Sequence, residues 1–251
     1  MSDKIEVFRS VLNGFENEDF RLFCEDLLDA QPDMNYMMPS STSYKYHNTT
    51  QCQPGGQAYH VLMVGTIMNH ILDLEYIRNK FDKSKQRDCM RIAALCHDIM
   101  KTNDGQYTVH EHPLLAGEYV KNTPVEHDID ERLKDYIARL CASHSGEWTI
   151  SNRSNIVLPK PETDAQFYVH LADYLGSRAN LDMIYSDEQK ALIKGFQEPV
   201  DPYKLKMPFG KHKDEELGDI PVKYLEWANE NMDSLKEPYK SAIEQILIES
   251  N

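Results

Sequence analysis

Apolar residues recur at intervals of three and four over the first 200 positions of this 251-residue chain. That spacing puts one hydrophobic stripe on each helix, whereas a half-buried strand needs strict alternation. The pattern therefore predicts a mainly α-helical body. The predicted helices cover residues 3–13, 17–30, 57–80, 85–101, 112–122, 126–144, 163–179 and 187–196.

Two long connections interrupt the predicted helices, at residues 31–56 and 145–162. Long loops in compact domains are often functional, although ordinary surface loops are the simpler interpretation. The helical period then ends at the Pro-rich stretch FQEPVDPYKLKMP. We place a domain boundary there and expect two parts, residues 1–196 and 197–251. The second part should be a small α+β module, with a short strand and turns before two helices, VKYLEWANENM and residues 236–249.

The formal net charge of −14 argues against a protein that coats duplex nucleic acid. Non-specific affinity for nucleic acid comes mainly from Lys and Arg side chains that neutralise phosphates. An acidic protein can still hold a nucleotide or a nucleic-acid end, because bound divalent cations supply positive charge locally. Charge alone therefore leaves both substrate classes open.

The N-terminal sequence MSDKIEVFRSVLNGF lacks the basic segment and apolar run of a signal peptide. No stretch approaches the ~18 uninterrupted apolar residues of a membrane span. We expect a cytoplasmic protein with no membrane segment. Its five cysteines are scattered and form no CxxC pair, which favours reduced thiols over disulfides or a thiolate zinc site.

The segment ALCHDIMK contains the most informative pair of residues, His97 and Asp98. The pair directly follows an apolar run that ends at Cys96. Burying two ionisable groups at the end of a core helix is costly unless something compensates them. A divalent metal would compensate both, and a buried hydrogen bond between the two side chains is the simpler alternative.

Further histidines and an aspartate follow in an ordered series: His60 in GGQAYHVLMVG, His97 and Asp98, His112 in HEHPLLAGEYV, His144 in ASHSGEW, and Asp173 in HLADYLGSR. This series resembles the signature of the HD-domain metal-dependent phosphohydrolases. The resemblance implies an HD-domain helical bundle at residues 1–196 and the binding of two divalent metal ions by all six side chains. The ions could be Mn, Fe, Co, Ni, Mg or Zn.

Two cations about 3.5–4 Å apart can share a hydroxide that attacks phosphorus, so no protein nucleophile is required. The carboxylate of Asp98 is the natural bridge in such a centre. Lys101, one turn later, matches a lysine that often closes this motif and could balance charge on the transferred phosphate. The alternative is a solvated lysine at a helix C-terminus.

The flanking sequences suggest a narrower resemblance. The stretch PSSTSYKYHNTTQCQPGGQAYH is similar to the one before the first metal histidine in HD domains of the bacterial 3′-5′ exoribonuclease type. Serine stands at Ser145, where that family usually has a second histidine. The tail KMPFGKHKDEELGDIPVKYLEW resembles the C-terminal module of exodeoxyribonuclease X-like proteins. Candidate ligands for substrate phosphates are Lys45, His47, Lys160 and Arg178, each of which could instead be an ordinary surface cation.

The leading hypothesis is a metal-dependent phosphodiesterase, similar to the 3′-5′ exonucleases, that hydrolyses single-stranded RNA or DNA ends, with Asp98 and Lys101 as catalytic residues; the sequence does not give the direction of cleavage. One alternative is a nucleotide phosphohydrolase that acts on mono- or triphosphates, which the acidic composition suits better. A second alternative is a catalytically silent regulatory protein that keeps the metal site for stability. The sequence does not indicate an oligomeric state.

Overall fold

The computed structural model describes residues 3–41, 46–103, 108–195, 201–208, 210–232, 235 and 239–250. Within these residues the chain forms twelve α-helices and three short 3-10 turns, and it forms no β-sheet. The predicted mainly α-helical fold is confirmed. The helices are α1 (Asp3–Leu12), α2 (Glu18–Ala30), α3 (Asp33–Met37), α4 (Gly56–Asp73), α5 (Glu75–Lys80), α6 (Ser84–Cys96), α7 (His112–Asn122), α8 (Glu131–Ala142), α9 (Asp164–Gly176), α10 (Asp187–Gly195), α11 (Val222–Asn231) and α12 (Tyr239–Glu249).

Two of the longest predicted helices are shorter in the structure. The segment predicted at residues 57–80 forms α4 and α5, because the backbone extends at Leu74, where ψ is 127°. The segment predicted at residues 85–101 ends at Cys96 and continues as a turn. Apolar spacing runs through both points, so periodicity alone does not mark where the helical hydrogen bonds stop.

Helix α8 begins later than its predicted start at residue 126. The side chain of Asp130 accepts a hydrogen bond of 2.9 Å from the backbone N–H of Arg132, which caps the helix and fixes its first turn. The short helix α3 was not predicted at all. It lies inside the first long connection, and five residues are too few for a recognisable apolar period.

The short strand expected in the C-terminal module is reduced to one isolated antiparallel bridge, between Lys206 and Glu216. Flanking backbone bonds join the Met207 N–H to the Glu215 carbonyl (2.8 Å) and the Leu217 N–H to the Leu205 carbonyl (2.7 Å). The next residue, Pro208, has no N–H and cannot extend this pairing. In its described residues the module is therefore helical, with α11 and α12 as its main elements.

Helix α4 lies at the centre of the fold, where it contacts α1, α3, α6 and α9. Most of its side chains are buried around the whole circumference, as expected of a helix enclosed by others. At Gly65 the packing is so close that an added Cβ would lie 2.9 Å from Val11 and 3.0 Å from Leu95. His60, in the buried part of α4, is therefore held inside the core.

The buried hydrophobic residues form two separate clusters, one within residues 5–193 and one within residues 205–246. The first contains residues from α1 to α10, and the second contains residues from α11 and α12. The predicted domain boundary at residues 196/197 falls on positions outside the described residues, so its exact place stays a prediction.

In the described part of the chain, no helix has the length and apolar character needed to cross a bilayer.

A buried ionic cluster fixes α6 against the loop between α1 and α2. Asp88 on α6 accepts hydrogen bonds from the backbone N–H groups of Glu16 (3.1 Å) and Asn17 (2.9 Å), and from the guanidinium of Arg91 (2.8 Å). Arg87 binds both carboxylate oxygens of Glu16. Since His97 and Asp98 directly follow α6, this cluster also fixes the position of that pair.

We expect the substitution Asp88→Ala to lower the free energy of unfolding by about 3–5 kcal/mol, because it removes the buried carboxylate that accepts from the Arg91 guanidinium and from the backbone N–H groups of Glu16 and Asn17. Urea denaturation followed by circular dichroism measures the loss. Asp73→Ala is the matched control: Asp73 pairs with Arg78 at 2.9 Å on the surface, and removing it should cost less than about 1 kcal/mol. Equal losses in the two variants would contradict a structural role for the cluster.

Candidate metal centre

The six side chains predicted as metal ligands converge at one end of the helical bundle. Each is placed by a helix or by the turn beside one. The positions are His60 within α4, His97 and Asp98 directly after α6, His112 at the first residue of α7, His144 two residues after α8, and Asp173 within α9. Long-range packing of α4, α6, α8 and α9 brings them together, since those helices contact one another.

The first donor set consists of His60, His97 and Asp173. The Nε2 atom of His60 lies 3.2 Å from the Nε2 atom of His97 and 3.1 Å from the Oδ1 atom of Asp173. The Oδ2 atom of Asp98 lies 3.4 Å from the Nε2 of His60 and 3.5 Å from that of His97. These donor atoms are close enough to share one small cation.

The second donor set consists of His112 and His144, whose Nε2 atoms are 3.2 Å apart. Both face the other carboxylate oxygen of Asp98: the Oδ1 atom lies 3.1 Å from the Nε2 of His112 and 3.6 Å from that of His144. Asp98 therefore presents one oxygen to each donor set. Its Oδ1 atom is buried and has no hydrogen-bond partner among the described residues.

Backbone carbonyls orient three of the four histidines. The Nδ1 atoms of His97, His112 and His144 lie 2.7–2.8 Å from the carbonyl oxygen three residues earlier, in Ala94, Val109 and Cys141 respectively. A carbonyl only accepts hydrogen bonds, so each Nδ1 must carry the proton. The neutral ring then directs the lone pair of its Nε2 at the centre, which is the form in which imidazole binds a metal.

The pKa values of the buried groups reflect both their burial and the charges of their neighbours. Burial lowers the pKa of His97, but the carboxylates of Asp98 and Asp173 outweigh that effect and raise it to about 10. Burial raises the pKa of Asp98, yet Lys101 and His97 hold it well below its usual value. Burial, followed by the nearby cationic ring of His97, lowers the pKa of His144 to about 3.

The donor atoms fit a divalent metal better than they fit a network of hydrogen bonds. The buried Oδ1 of Asp98 has no hydrogen-bond partner among the described residues, which is rare in folded proteins, and the Nε2 atoms of His112 and His144 lie 3.2 Å apart. A cation accepts lone pairs from all of these atoms. Nitrogen and carboxylate oxygen donors without sulfur suit borderline to hard divalent ions. The five cysteines are all buried and free, and none belongs to a candidate metal cluster of the described residues.

Two further polar side chains contact Asp98. The Nζ atom of Lys101 lies 2.5 Å from its Oδ2 atom and 3.4 Å from the hydroxyl of Ser40. The amide of Gln57 lies 3.4 Å from the same Oδ2. Lys101 is thus a partly buried ion-pair partner of Asp98 rather than a solvated lysine.

A pocket of about 270 Å³ opens onto the centre, and we call it the inner pocket. Of the predicted phosphate ligands, His47 and Arg178 line it together with Lys101. The Nδ1 atom of His47 lies 2.7 Å from the amide oxygen of Gln51. Lys160 is exposed and does not line this pocket, and Lys45 lies outside the described residues.

The structure adds residues that the sequence patterns did not identify. His170 lies on α9, one turn before Asp173. Its Nδ1 atom is 2.7 Å from the carbonyl oxygen of His144, so His170 holds the loop that carries His144. Trp148 and Tyr174 line the inner pocket. No local motif marks these positions; the only available signal was a tryptophan in a polar loop, four residues after a predicted ligand.

Comparison with known families agrees with this geometry. Residues 58–177, which include all six converging side chains, match the model of the HD domain, a superfamily of metal-dependent phosphohydrolases. Residues 200–232 match a second family, described as "Putative quorum-sensing-regulated virulence factor". Searches against curated proteins and against solved structures found no match.

We expect metal binding to release protons at neutral pH. The pKa of His97 is about 10 without metal, so its ring is protonated at pH 7 and a metal at its Nε2 must displace that proton. Protons compete with metal, so the apparent affinity should rise with pH, about tenfold per pH unit for each displaced proton. Calorimetric titrations in buffers of different ionisation enthalpy count the protons. Binding at pH 7 without proton release would contradict the assignment of His97 as a ligand.

Proposed function

We propose that this chain, whose residues 58–177 form an HD domain of the metal-dependent phosphohydrolase superfamily, is a two-metal phosphodiesterase that hydrolyses ends of single-stranded nucleic acid. The observation that carries the proposal is the buried carboxylate of Asp98, with one oxygen facing each of two histidine-containing donor sets. That division of donor atoms is what a carboxylate bridging two cations requires.

The residues that would hold the two ions follow from the distances. His60, His97 and Asp173 form one set, His112 and His144 form the other, and Asp98 contributes to both. Two divalent ions bound there would act as Lewis acids and provide a hydroxide nucleophile at neutral pH. The protein residues fix the donor atoms, keep three of the four imidazole rings in the metal-binding tautomer and bury the carboxylate of Asp98 away from bulk water.

Cationic side chains at the wall of the inner pocket would bind the phosphate. Lys101 already lies 2.5 Å from Asp98, so its ammonium is within reach of any phosphoryl group drawn to the centre. Arg178 lines the same pocket, on the turn after α9. Lys101 thus fits the role of stabilising charge on the transferred phosphoryl group, and Arg178 fits the binding of an adjacent phosphate.

Two features favour nucleic acid as the substrate. The sequence before His60 resembles exoribonuclease-type HD domains, and His47 from that stretch lines the inner pocket. The tail from Lys206 to Trp227 resembles a module of exodeoxyribonuclease X-like proteins. A nucleotide phosphohydrolase is the second candidate, favoured by the net charge of −14, which disfavours long polyanions.

The substrate is tested with end-labelled single-stranded RNA and DNA, assayed beside nucleoside mono- and triphosphates in a series of divalent ions that includes Mn²⁺. The proposal expects release of mononucleotides from the oligonucleotides. Rapid hydrolysis of the small nucleotides with intact oligonucleotides would establish the second candidate instead. Labels at the 5′ and 3′ ends distinguish the direction of cleavage.

We expect the double substitution His97→Ala, Asp98→Ala to abolish metal binding and turnover together, because it removes a ligand and the carboxylate shared by both donor sets. Elemental analysis of the purified protein measures the metal. The matched control is His70→Ala, Asp73→Ala, an exposed pair at the end of α4, which should keep both properties. Stoichiometric metal in the first variant would contradict the proposed ligands, and unchanged turnover would identify a contaminant as the source of activity.

We expect Lys101→Ala to lower kcat about 10²–10³-fold while metal content is retained, because the lost ammonium stabilises charge and is not a ligand. Lys101→Arg should restore part of the rate. Lys85→Ala, an exposed lysine on α6, is the control. If Lys101→Ala instead lost its metal and kept its rate per bound ion, the role of Lys101 would be structural.

A further inference from the structure

An exposed tryptophan stands beside the metal centre. The side chain of Trp148 is 58% exposed although it lines the inner pocket. Its ring is nearly parallel to that of Tyr174, with an interplanar angle of 8° and centroids 5.9 Å apart. The guanidinium of Arg178 lies 4.1 Å from the centroid of Tyr174 and 5.6 Å from that of Tyr46. We call Trp148, Tyr174, Arg178 and Tyr46 the aromatic ridge.

The backbone holds Trp148 firmly although its side chain is exposed. The N–H of Trp148 donates to the carbonyl of Ser145 (3.2 Å), and the next residue, Thr149, is buried and accepts a hydrogen bond from the N–H of Leu158 (2.9 Å). Gly146 closes this turn with a φ of +62°, and a Cβ there would overlap the ring of His170. The exposed indole is therefore presented by a fixed turn.

A second pocket adjoins the inner one, and we call it the outer pocket. Three residues line both: His112, Ser145 and Trp148. The outer pocket is also lined by His110, by the cationic Arg153 and by the acidic Glu111, so it offers one guanidinium of its own. Trp148 thus stands between two pockets that meet at a predicted metal ligand. A chain of nucleotides could occupy both, whereas a single mononucleotide would occupy one.

Resting on the proposed function, we propose that Trp148 stacks against the base of the nucleotide next to the phosphate at the metal centre. The strand passes over Trp148 from the inner pocket into the outer pocket. Aromatic rings stack on any base, because every base presents a π-face, so the contact provides affinity without a sequence requirement. Arg178 lines the inner pocket and Arg153 lines the outer pocket, so each pocket offers one guanidinium to a phosphodiester backbone.

The chain has only two tryptophans, Trp148 and Trp227, and this provides a direct optical test. In the Trp227→Phe variant, with its metal bound, Trp148 is the sole indole. We expect a phosphorothioate oligonucleotide, which resists hydrolysis, to quench its fluorescence saturably, and ribose 5-phosphate, which has no base, to leave it unchanged. Equal responses to the two ligands would overturn the proposal. A fluorescence change that depends only on protein concentration would also overturn the proposal, because it would show that the aromatic ridge is a contact between copies of the chain.

A kinetic comparison separates this contact from the reaction itself. Trp148→Ala should raise KM for oligonucleotides about tenfold relative to KM for methyl p-nitrophenyl phosphate, a diester without a base, and Trp148→Phe should restore most of the difference. A parallel change for both substrates would overturn the stacking role. If neither substrate were hydrolysed while quenching persisted, the proposed function would fail and base binding by Trp148 would stand.

Discussion

The buried carboxylate of Asp98 is the constraint on which the rest of this structure depends. An ionised carboxylate in a helical core is unstable unless cationic or donor groups surround it. Here the chain surrounds it from every side: Lys101 and Gln57 contact one oxygen, and His112 and His144 face the other. The helices that carry or adjoin these groups must pack closely, so the site and the core require the same arrangement of α4, α6, α7 and α8.

Helix ends provide the second part of this arrangement. A helix leaves its last carbonyls without an intrahelical partner, and these must be satisfied by other groups. In α6 and α8 the imidazole rings of His97 and His144 satisfy such carbonyls, those of Ala94 and Cys141. One hydrogen bond therefore caps a helix, fixes the tautomer of the ring and turns its Nε2 atom toward the centre. The structural and chemical roles of these histidines cannot be separated.

The sequence allowed the helical class and all six converging side chains to be predicted, because apolar spacing is local and the His-Asp series is ordered along the chain. It did not allow the break at Leu74 or the late start of α8 to be predicted, since the apolar period continues through both points. The positions of Trp148 and His170 depend on contacts between the loop after α8 and helix α9. Such contacts do not appear in the spacing of apolar residues along the sequence, so only the three-dimensional structure shows that these side chains adjoin the centre.

The acidity of the chain determines how such a site can hold a polyanion. With 41 acidic residues against 27 Lys and Arg, the surface as a whole repels phosphates, so affinity must be local. The cations that do stand at the pockets, Lys101, Arg178 and Arg153, are few. In the proposed function, stacking on an exposed indole would be insensitive to charge, and ions bound at the centre would act on a single phosphate. Both contributions favour recognition of one strand end over binding along a duplex, because a duplex would bring many unneutralised phosphates against the acidic surface.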